Sequence, residues 1–311
     1  MNFKQCAKAL LSHDNILIIS HKNPDGDTIG SCAALCSFLR RLGKKAALYN
    51  NPQVNEKLRG YAGEFFADED FKAEYVVSVD VAAESLFPRG FEGKVDLCID
   101  HHPSNTRYAK ELLCGPEKAS CAEVVLELAE SLGIEPNAQE ATLLYIALST
   151  DCGSFQYHNT KADTLLAASK LVRLGADNAT VNTVFFRKVS MARIKLESMI
   201  YAGMRFYREG KIAVATITLD MLEKAGAGED DMDDLAGLAG RAEGTLLNIT
   251  IREQADGSSK ISVRSTKDVN SSDICAVFGG GGHAMAAGCT IFGEPEKARE
   301  MLLNVVDEVW K

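Results

Sequence analysis

Two carboxylates and one imidazole share one short stretch, His21-Lys-Asn-Pro-Asp25-Gly-Asp27. That set suits hard or borderline cations such as Mg, Mn or Zn, which take carboxylate and imidazole ligands. Pro24 and Gly26 shape a turn, and Gly26 tolerates backbone conformations that other residues resist. Asp25 or Asp27 also suits the N-cap of a helix starting at Thr28. Three more such groups follow, each at the end of an apolar run: Asp80, Asp100-His101-His102, and Ser149-Thr150-Asp151-Cys152-Gly153-Ser154. A fifth group is different in kind: Gly279, Gly280, Gly281 and Gly282 precede His283 and a run of small residues. Glycines let backbone N–H groups approach a phosphate, and a helix N-terminus favours anions, so this stretch reads as an anion cradle opening a helix. It lacks the Lys and Ser/Thr of a Walker loop. Arg264, next to Ser265 at the end of a strand-like run, has the planar fork that grips phosphates or stacks on bases.

Such groups need a scaffold that gathers them. Residues 15–20 form a short apolar run that reads as a buried strand. Residues 28–42 run at helical spacing and stop at Gly43. Further strand-like runs at 46–49, 75–79, 95–99 and, as an edge, 111–114 are followed by helical patterns at 119–132, 138–150 and 163–174. This order predicts an α/β domain with a parallel, doubly wound sheet and covering helices. In such a sheet the strand C-termini lie along one edge, where ligands bind. Asp25, Asp27, Asp80, Asp100, His101 and His102 would converge there. So many carboxylates in one crevice repel each other and are costly to desolvate. Divalent cations resolve the conflict, and two that share a bridging carboxylate activate water and clamp a phosphoryl group.

The 311 residues suggest two domains. We place the first at 1–185, a helical connector without strands at 186–207, and a smaller α+β domain at 208–311. The last contains a strand at 211–218, a hairpin of 245–252 and 260–264 around Asp256-Gly257, and helices at 273–278 and 295–310. The acidic run Glu229, Asp230, Asp231, Asp233 and Asp234 reads as a solvated first helix turn.

A net charge of −9 argues against a protein that coats long duplexes, which needs a broad basic surface, while leaving short nucleotides open as substrates. Nine cysteines without a Cys-x-x-Cys pair argue against a structural zinc site of the usual spacing and fit a reducing cytoplasm. Cys32 and Cys36 read as small packing residues. Residues 1–11 lack a signal-peptide pattern, and no apolar run is long enough to cross a membrane.

Together these motifs resemble the DHH phosphoesterase superfamily, named for the triplet that stands here as Asp100-His101-His102. His21-x-x-x-Asp25-x-Asp27, Asp80 and Asp151 look like its other motifs in the same order, and the 279–288 stretch with Arg264 looks like the associated DHHA1 domain. The resemblance spans essentially the whole chain. The compact layout is similar to nano-RNases that also act on 3′-phosphoadenosine 5′-phosphate (pAp), and to cyclic-di-AMP or pApA phosphodiesterases. It implies two Mn2+ ions, with Mg2+ or Co2+ as substitutes. His21 and Asp25 would hold one ion, Asp27, His101 and Asp151 the other, with Asp80 bridging. Asp100 would orient His101, and His102 would contact the scissile phosphate. Arg264, Ser265, Gly280, Gly281, Gly282 and His283 would hold the far end of the nucleotide. A homodimer is implied as well. Cys152 departs from the family, where Thr usually stands between the Asp and Gly, and an effect on packing or on the hydrogen bonds that support the ligands, not loss of metal, is expected there.

The expected activity is therefore manganese-dependent hydrolysis of short RNA or DNA oligonucleotides, pApA among them, to mononucleotides, with pAp as a second substrate. Two alternatives stand beside it: a cyclic-di-AMP phosphodiesterase, and a non-catalytic nucleotide- or RNA-binding module. The glycine stretch argues against a pyrophosphatase of the same superfamily.

Overall fold

The computed structural model describes residues 1–232, 235–266 and 268–310. The chain divides into two compact units, Met1–Lys188 and Val189–Lys311.

The first unit runs α1 (Phe3–Ser12), β1 (Ile16–Ile19), α2 (Gly26–Arg41), β2 (Ala46–Leu48), α3 (Glu56–Ala62), β3 (Tyr75–Val79), β4 (Leu97–Asp100), β5 (Glu111–Cys114), α4 (Cys121–Ser131), α5 (Ala138–Asp151), α6 (Ala162–Arg173) and α7 (Asn178–Asn182). All pairings in its sheet are parallel, and the order is β2-β1-β3-β4-β5. The expected doubly wound α/β domain is present, with β5 at an edge. The chain turns to one side after β1 and to the other with β3. The crevice beyond the C-termini of β1 and β3 is therefore the topological switch point, the place where open α/β sheets bind ligands.

Burial explains the sequence of the strands. Ile16, Ile18, Val77, Val79, Leu97 and Ile99 are buried in one core with Phe38, Leu39 and Leu128 from the helices. A parallel sheet covered on both faces favours such near-continuous apolar runs. Helix α2 is buried along most of its length, and it packs tightly on α5 because two of its residues lack a side chain. A methyl group at Gly26 would fall 2.3 Å from Thr150 Oγ1, and one at Gly30 would fall 2.4 Å from the Leu143 carbonyl. This close approach brings the start of α2 against the end of α5.

The second unit contains α8 (Met191–Gly203), β6 (Arg205–Tyr207), β7 (Ile212–Ile217), α9 (Leu219–Ala225), β8 (Leu247–Glu253), β9 (Ser258–Ser265), α10 (Ser271–Ala276), β10 (Gly281–His283), β11 (Ala286–Phe292) and α11 (Pro295–Val309). Its sheet order is β10-β11-β9-β8-β7-β6, antiparallel except for β7 beside β8. Alternation along β7 feeds two cores: Ile212 and Val214 pack with α10 and α11, while Ala213, Ala215 and Ile217 pack with Leu196 and Ile200 of α8.

Three stretches differ from expectation. Residues 205–207 form a strand inside the stretch read as a mostly helical connector without strands; three residues are too few for a periodic signal, and pairing with β7 decides their conformation. The small-residue run after His283 is a strand, not a helix, so the glycines open a hairpin and no helix N-terminus faces an anion there. Ala286, Ala287 and Gly288 have little strand preference of their own, and their ladder with β9 overrides it. Of the acidic run, Glu229–Met232 form a 3-10 turn, and Asp231 is tied to Ser190 Oγ and the Gly228 N–H rather than simply solvated. Asp233 and Asp234 lie outside the described residues.

Candidate metal centre

The crevice at the switch point collects seven of the side chains singled out in the first unit: His21, Asp25, Asp27, Asp80, His101, His102 and Asp151. Asp25 caps α2, accepting the N–H groups of Asp27 at 3.0 Å and Thr28 at 3.1 Å. Cap and cluster are thus one role: the cap holds the carboxylate where the cluster forms. Asp80 follows β3 with φ +63, a left-handed conformation that is costly outside glycine. Its N–H is held by the Ile99 carbonyl at 2.9 Å, so the β4 ladder fixes the turn. Asp100 ends β4, and Asp151 ends α5.

These side chains form two groups around Asp80. His21, Asp25 and Asp80 offer ligand atoms within 4.8 Å of one another, and so do Asp27, His101 and Asp151. Asp80 also joins His101 and His102 in a third such set. The histidines are aimed by their backbones. His21 Nδ1 donates to the Lys22 carbonyl at 2.7 Å, leaving Nε2 facing Asp25 at 3.5 Å and Asp80 at 3.7 Å. His101 Nδ1 donates to the Lys118 carbonyl at 3.3 Å, leaving Nε2 facing Asp80 at 3.4 Å, Asp27 at 3.7 Å and Asp151 at 3.8 Å. Metal-binding histidines are commonly held this way, one nitrogen on a carbonyl and the other on the ion.

The polar bookkeeping fits cations. Asp80 Oδ1 and His101 Nε2 are buried and have no hydrogen-bond partner. Buried polar atoms are normally satisfied, and two orphans 3.4 Å apart are spaced as two ligands of one ion are. Electrostatics agree. Burial, reinforced by the charges of Asp80 and Asp151, holds the Asp27 carboxyl well above its ordinary range. Burial and the charge of Asp25 do the same to Asp80, and burial raises Asp151. Burial works against a charged His21, but its hydrogen bond to Asp25 and the surrounding carboxylates lift it to about 9. The cluster therefore retains protons unless another positive charge takes their place, and a divalent cation is that charge.

Asp27 is fixed from another side as well. Its Oδ2 accepts the Cys121 N–H at 2.7 Å, and its Oδ1 accepts the Ala122 N–H at 3.2 Å and the Ser31 hydroxyl at 3.1 Å. Only the lone pairs turned toward His101 stay free.

Asp100 does not orient His101. Its Oδ1 accepts the His102 Nδ1–H at 2.8 Å, together with the N–H groups of His101 at 2.8 Å and His102 at 3.2 Å. The carbonyl of Lys118 takes the role expected of Asp100, because the β4 turn points the His102 ring, not the His101 ring, back over the carboxylate. Burial would raise Asp100, but the hydrogen bonds from His102 and Asn105 outweigh it and keep it ionised. The bond to Asp100 in turn raises His102. Ser31, Asn105, Lys118 and the start of α4 were not singled out in the sequence. Only the placement of Asn105, shortly after the triplet and in a turn-forming Pro-Ser-Asn stretch, offered a local hint.

The remaining candidates lie in the second unit. Register places Arg264 of β9, Ala286 of β11 and His283 of β10 opposite one another, so their side chains share one face of the sheet, and both Arg264 and His283 are exposed. Gly281 and Gly282 are exposed beside them. Ser265 is engaged internally, donating to the Val269 carbonyl at 2.6 Å and lying 2.8 Å from Ser271 Oγ. The N–H of Gly280 is spent on the Cys275 carbonyl at 2.9 Å, and a methyl there would meet the Gly288 carbonyl at 2.2 Å. Gly280 is thus required for strand approach and offers no free N–H to a phosphate. Cys152 is buried.

Comparison with known proteins gives concordant results. The model of the DHH family N-terminal domain matches residues 15–148, and that of the DHHA1 domain matches residues 209–311. The bifunctional oligoribonuclease and PAP phosphatase NrnA of Thermus thermophilus is 33% identical over 305 residues, covering 94% of this chain and 89% of the relative. The Bacillus subtilis protein of the same name is 26% identical over 296 residues, covering 92% of each. Among solved structures, an exopolyphosphatase-related protein from Bacteroides fragilis shares the fold, with a TM-score of 0.87 at 22% identity, covering 98% of this chain and 96% of that one.

Proposed function

This chain belongs to the DHH family of phosphoesterases, and on that premise we propose that it hydrolyses short oligonucleotides to mononucleotides at a site for two Mn2+ ions. The observation that carries the reading is the pair of ligand groups that adjoin at Asp80: His21, Asp25 and Asp80 form one, Asp27, His101 and Asp151 the other, and the buried, unpartnered Asp80 Oδ1 and His101 Nε2 lie 3.4 Å apart where they meet. His21 and Asp25 would hold one ion, and Asp27, His101 and Asp151 the other, with Asp80 between. When bound, such a pair lowers the pKa of water and neutralises the charge of a phosphoryl group.

The protein's own residues supply the rest. Asp100 takes the Nδ1–H of His102, so Nε2 of the half-exposed ring is left to meet the scissile phosphate and stabilise its developing charge. The raised pKa of His102 keeps a proton available on that ring. In the second unit, Arg264 and His283 on one sheet face would bind substrate phosphate, with Gly281 and Gly282 leaving room beside them. The names of the NrnA relatives favour oligoribonucleotides and pAp over cyclic-di-AMP, and the complete set of ligand types speaks against a non-catalytic module.

Asp80→Ala tests this. It should abolish turnover of a dinucleotide such as pApA and weaken binding of both ions while leaving the circular dichroism spectrum unchanged. Wild-type turnover by a folded Asp80→Ala protein would remove the shared carboxylate from the mechanism.

A further inference from the structure

We propose that Asn105 is a positioning residue for His102, acting through Asp100; this rests on the reading of His102 as the residue that meets the phosphate. Asp100 is fully buried, and its two oxygens have different duties. Oδ1 holds the His102 ring. Oδ2 accepts the Asn105 side-chain N–H at 2.6 Å. The amide of Asn105 is itself held in one orientation. Its oxygen accepts the Arg107 N–H at 2.7 Å, and its nitrogen also lies 3.3 Å from the Val81 carbonyl. Arg107 has φ +58, a left-handed conformation that directs its N–H back at Asn105. The loop is anchored by two backbone bonds besides, Asn105 N–H to the His102 carbonyl at 3.2 Å and Thr106 N–H to the Ala82 carbonyl at 2.9 Å.

The result is a relay of fixed hydrogen bonds: Arg107 N–H to Asn105, Asn105 to Asp100, and His102 to Asp100. A carboxylate gripped only through Oδ1 can swing about its terminal torsion, which is broad. Gripped through both oxygens it is fixed, and so is the ring that leans on it. Asn105 takes no place in the candidate ligand groups around Asp80. Its removal should therefore disturb the aim of His102 while leaving cation binding alone. Groups that hold a reactive side chain from behind in this way are commonly worth ~10–100-fold in activity.

Asn105→Asp separates this role from a structural one, because it keeps the oxygen that accepts from Arg107 while the amide that donates to Asp100 and lies near the Val81 carbonyl becomes a carboxylate oxygen that repels Asp100. We expect kcat on pApA to fall at least ~10-fold with KM within about twofold, and Mn2+ stoichiometry and affinity by calorimetry to match wild type. In a His102→Ala background, Asn105→Asp should change kcat less than twofold, because the two residues act as one unit. The imidazole Nδ1–H resonance of His102, identified by its loss in His102→Ala, should be sharp in the wild type and broadened in Asn105→Asp. That readout needs no turnover, so it stands even if the proposed substrate is wrong. Undiminished kcat together with an unchanged resonance in Asn105→Asp, or a full additive loss in the His102→Ala background, would overturn the assignment.

Discussion

The carboxylate of Asp27 accepts the backbone N–H of Cys121 at 2.7 Å, across 94 residues of chain. Asp27 opens α2, and Cys121 opens α4, so one charge faces the candidate cation site and the positive end of a second helix. Ser31, one turn further along α2, adds its hydroxyl. A carboxylate held by three donors has few ways to turn, and it presents its remaining lone pairs toward His101 and Asp151.

Ser31→Ala removes one of those donors without touching a proposed ligand. Mn2+ affinity measured by calorimetry should fall ~10-fold, with stoichiometry unchanged. Unchanged affinity would show that the α4 N–H groups suffice to fix Asp27.

Stability of the cation-free protein should decline as pH rises. His21 is lifted from 6.5 to about 9, so its contribution is complete below 6.5 and is lost as pH rises through about 9. Asp27, Asp80 and Asp151, all raised, act in the same direction from their ordinary 3.8 upward. Asp25 and Asp100 are held low, are ionised throughout, and add no slope between pH 5 and 9. Mn2+ competes with the retained protons, so the gap in Tm between Mn2+-loaded and chelator-treated protein should widen with pH. Calorimetric scans across that window check it; a gap that narrows with pH contradicts it.

Gly26→Ala places a methyl 2.3 Å from Thr150 Oγ1 and 2.9 Å from its Cβ, at the junction of the two helices that carry Asp25, Asp27 and Asp151. The first unit should lose about 1–3 kcal/mol, and its Tm should fall by several degrees. Adding Thr150→Ala removes the nearer atoms and should restore part of the loss. No recovery in the double variant would place the strain elsewhere.

Arg264→Ala should raise KM for a five-nucleotide RNA ~10-fold or more while changing kcat less than twofold, as expected of a charged contact to the substrate remote from the reacting atoms. Steady-state kinetics read both constants. An unchanged KM would take Arg264 out of substrate binding.

Much of the first unit was legible because its signals are local. Apolar runs such as 75–79 and 95–99 can only be buried strands in this alternating pattern, and a parallel sheet must gather the residues that follow them. What escaped was set by contacts distant in sequence. Nothing near Asp27 announces the N–H of Cys121, and nothing near His101 announces the Lys118 carbonyl. The exchange of partners, with Asp100 on His102 rather than on His101, depends on the direction of a turn that residue types do not encode. The glycine stretch misled for a physical reason: its small residues have weak preferences, and strand pairing with β9 decides their conformation.

The most direct test is Mn2+-dependent hydrolysis of a defined panel: a 5′-labelled RNA dinucleotide, a five-mer, a twenty-mer, cyclic-di-AMP and pAp, with bound Mn2+ counted in parallel. The account predicts two Mn2+ per chain and preferential release of mononucleotides from the dinucleotide and five-mer, with pAp converted to AMP. Two bound ions with no turnover of the short oligonucleotides, or with turnover confined to cyclic-di-AMP, would contradict it.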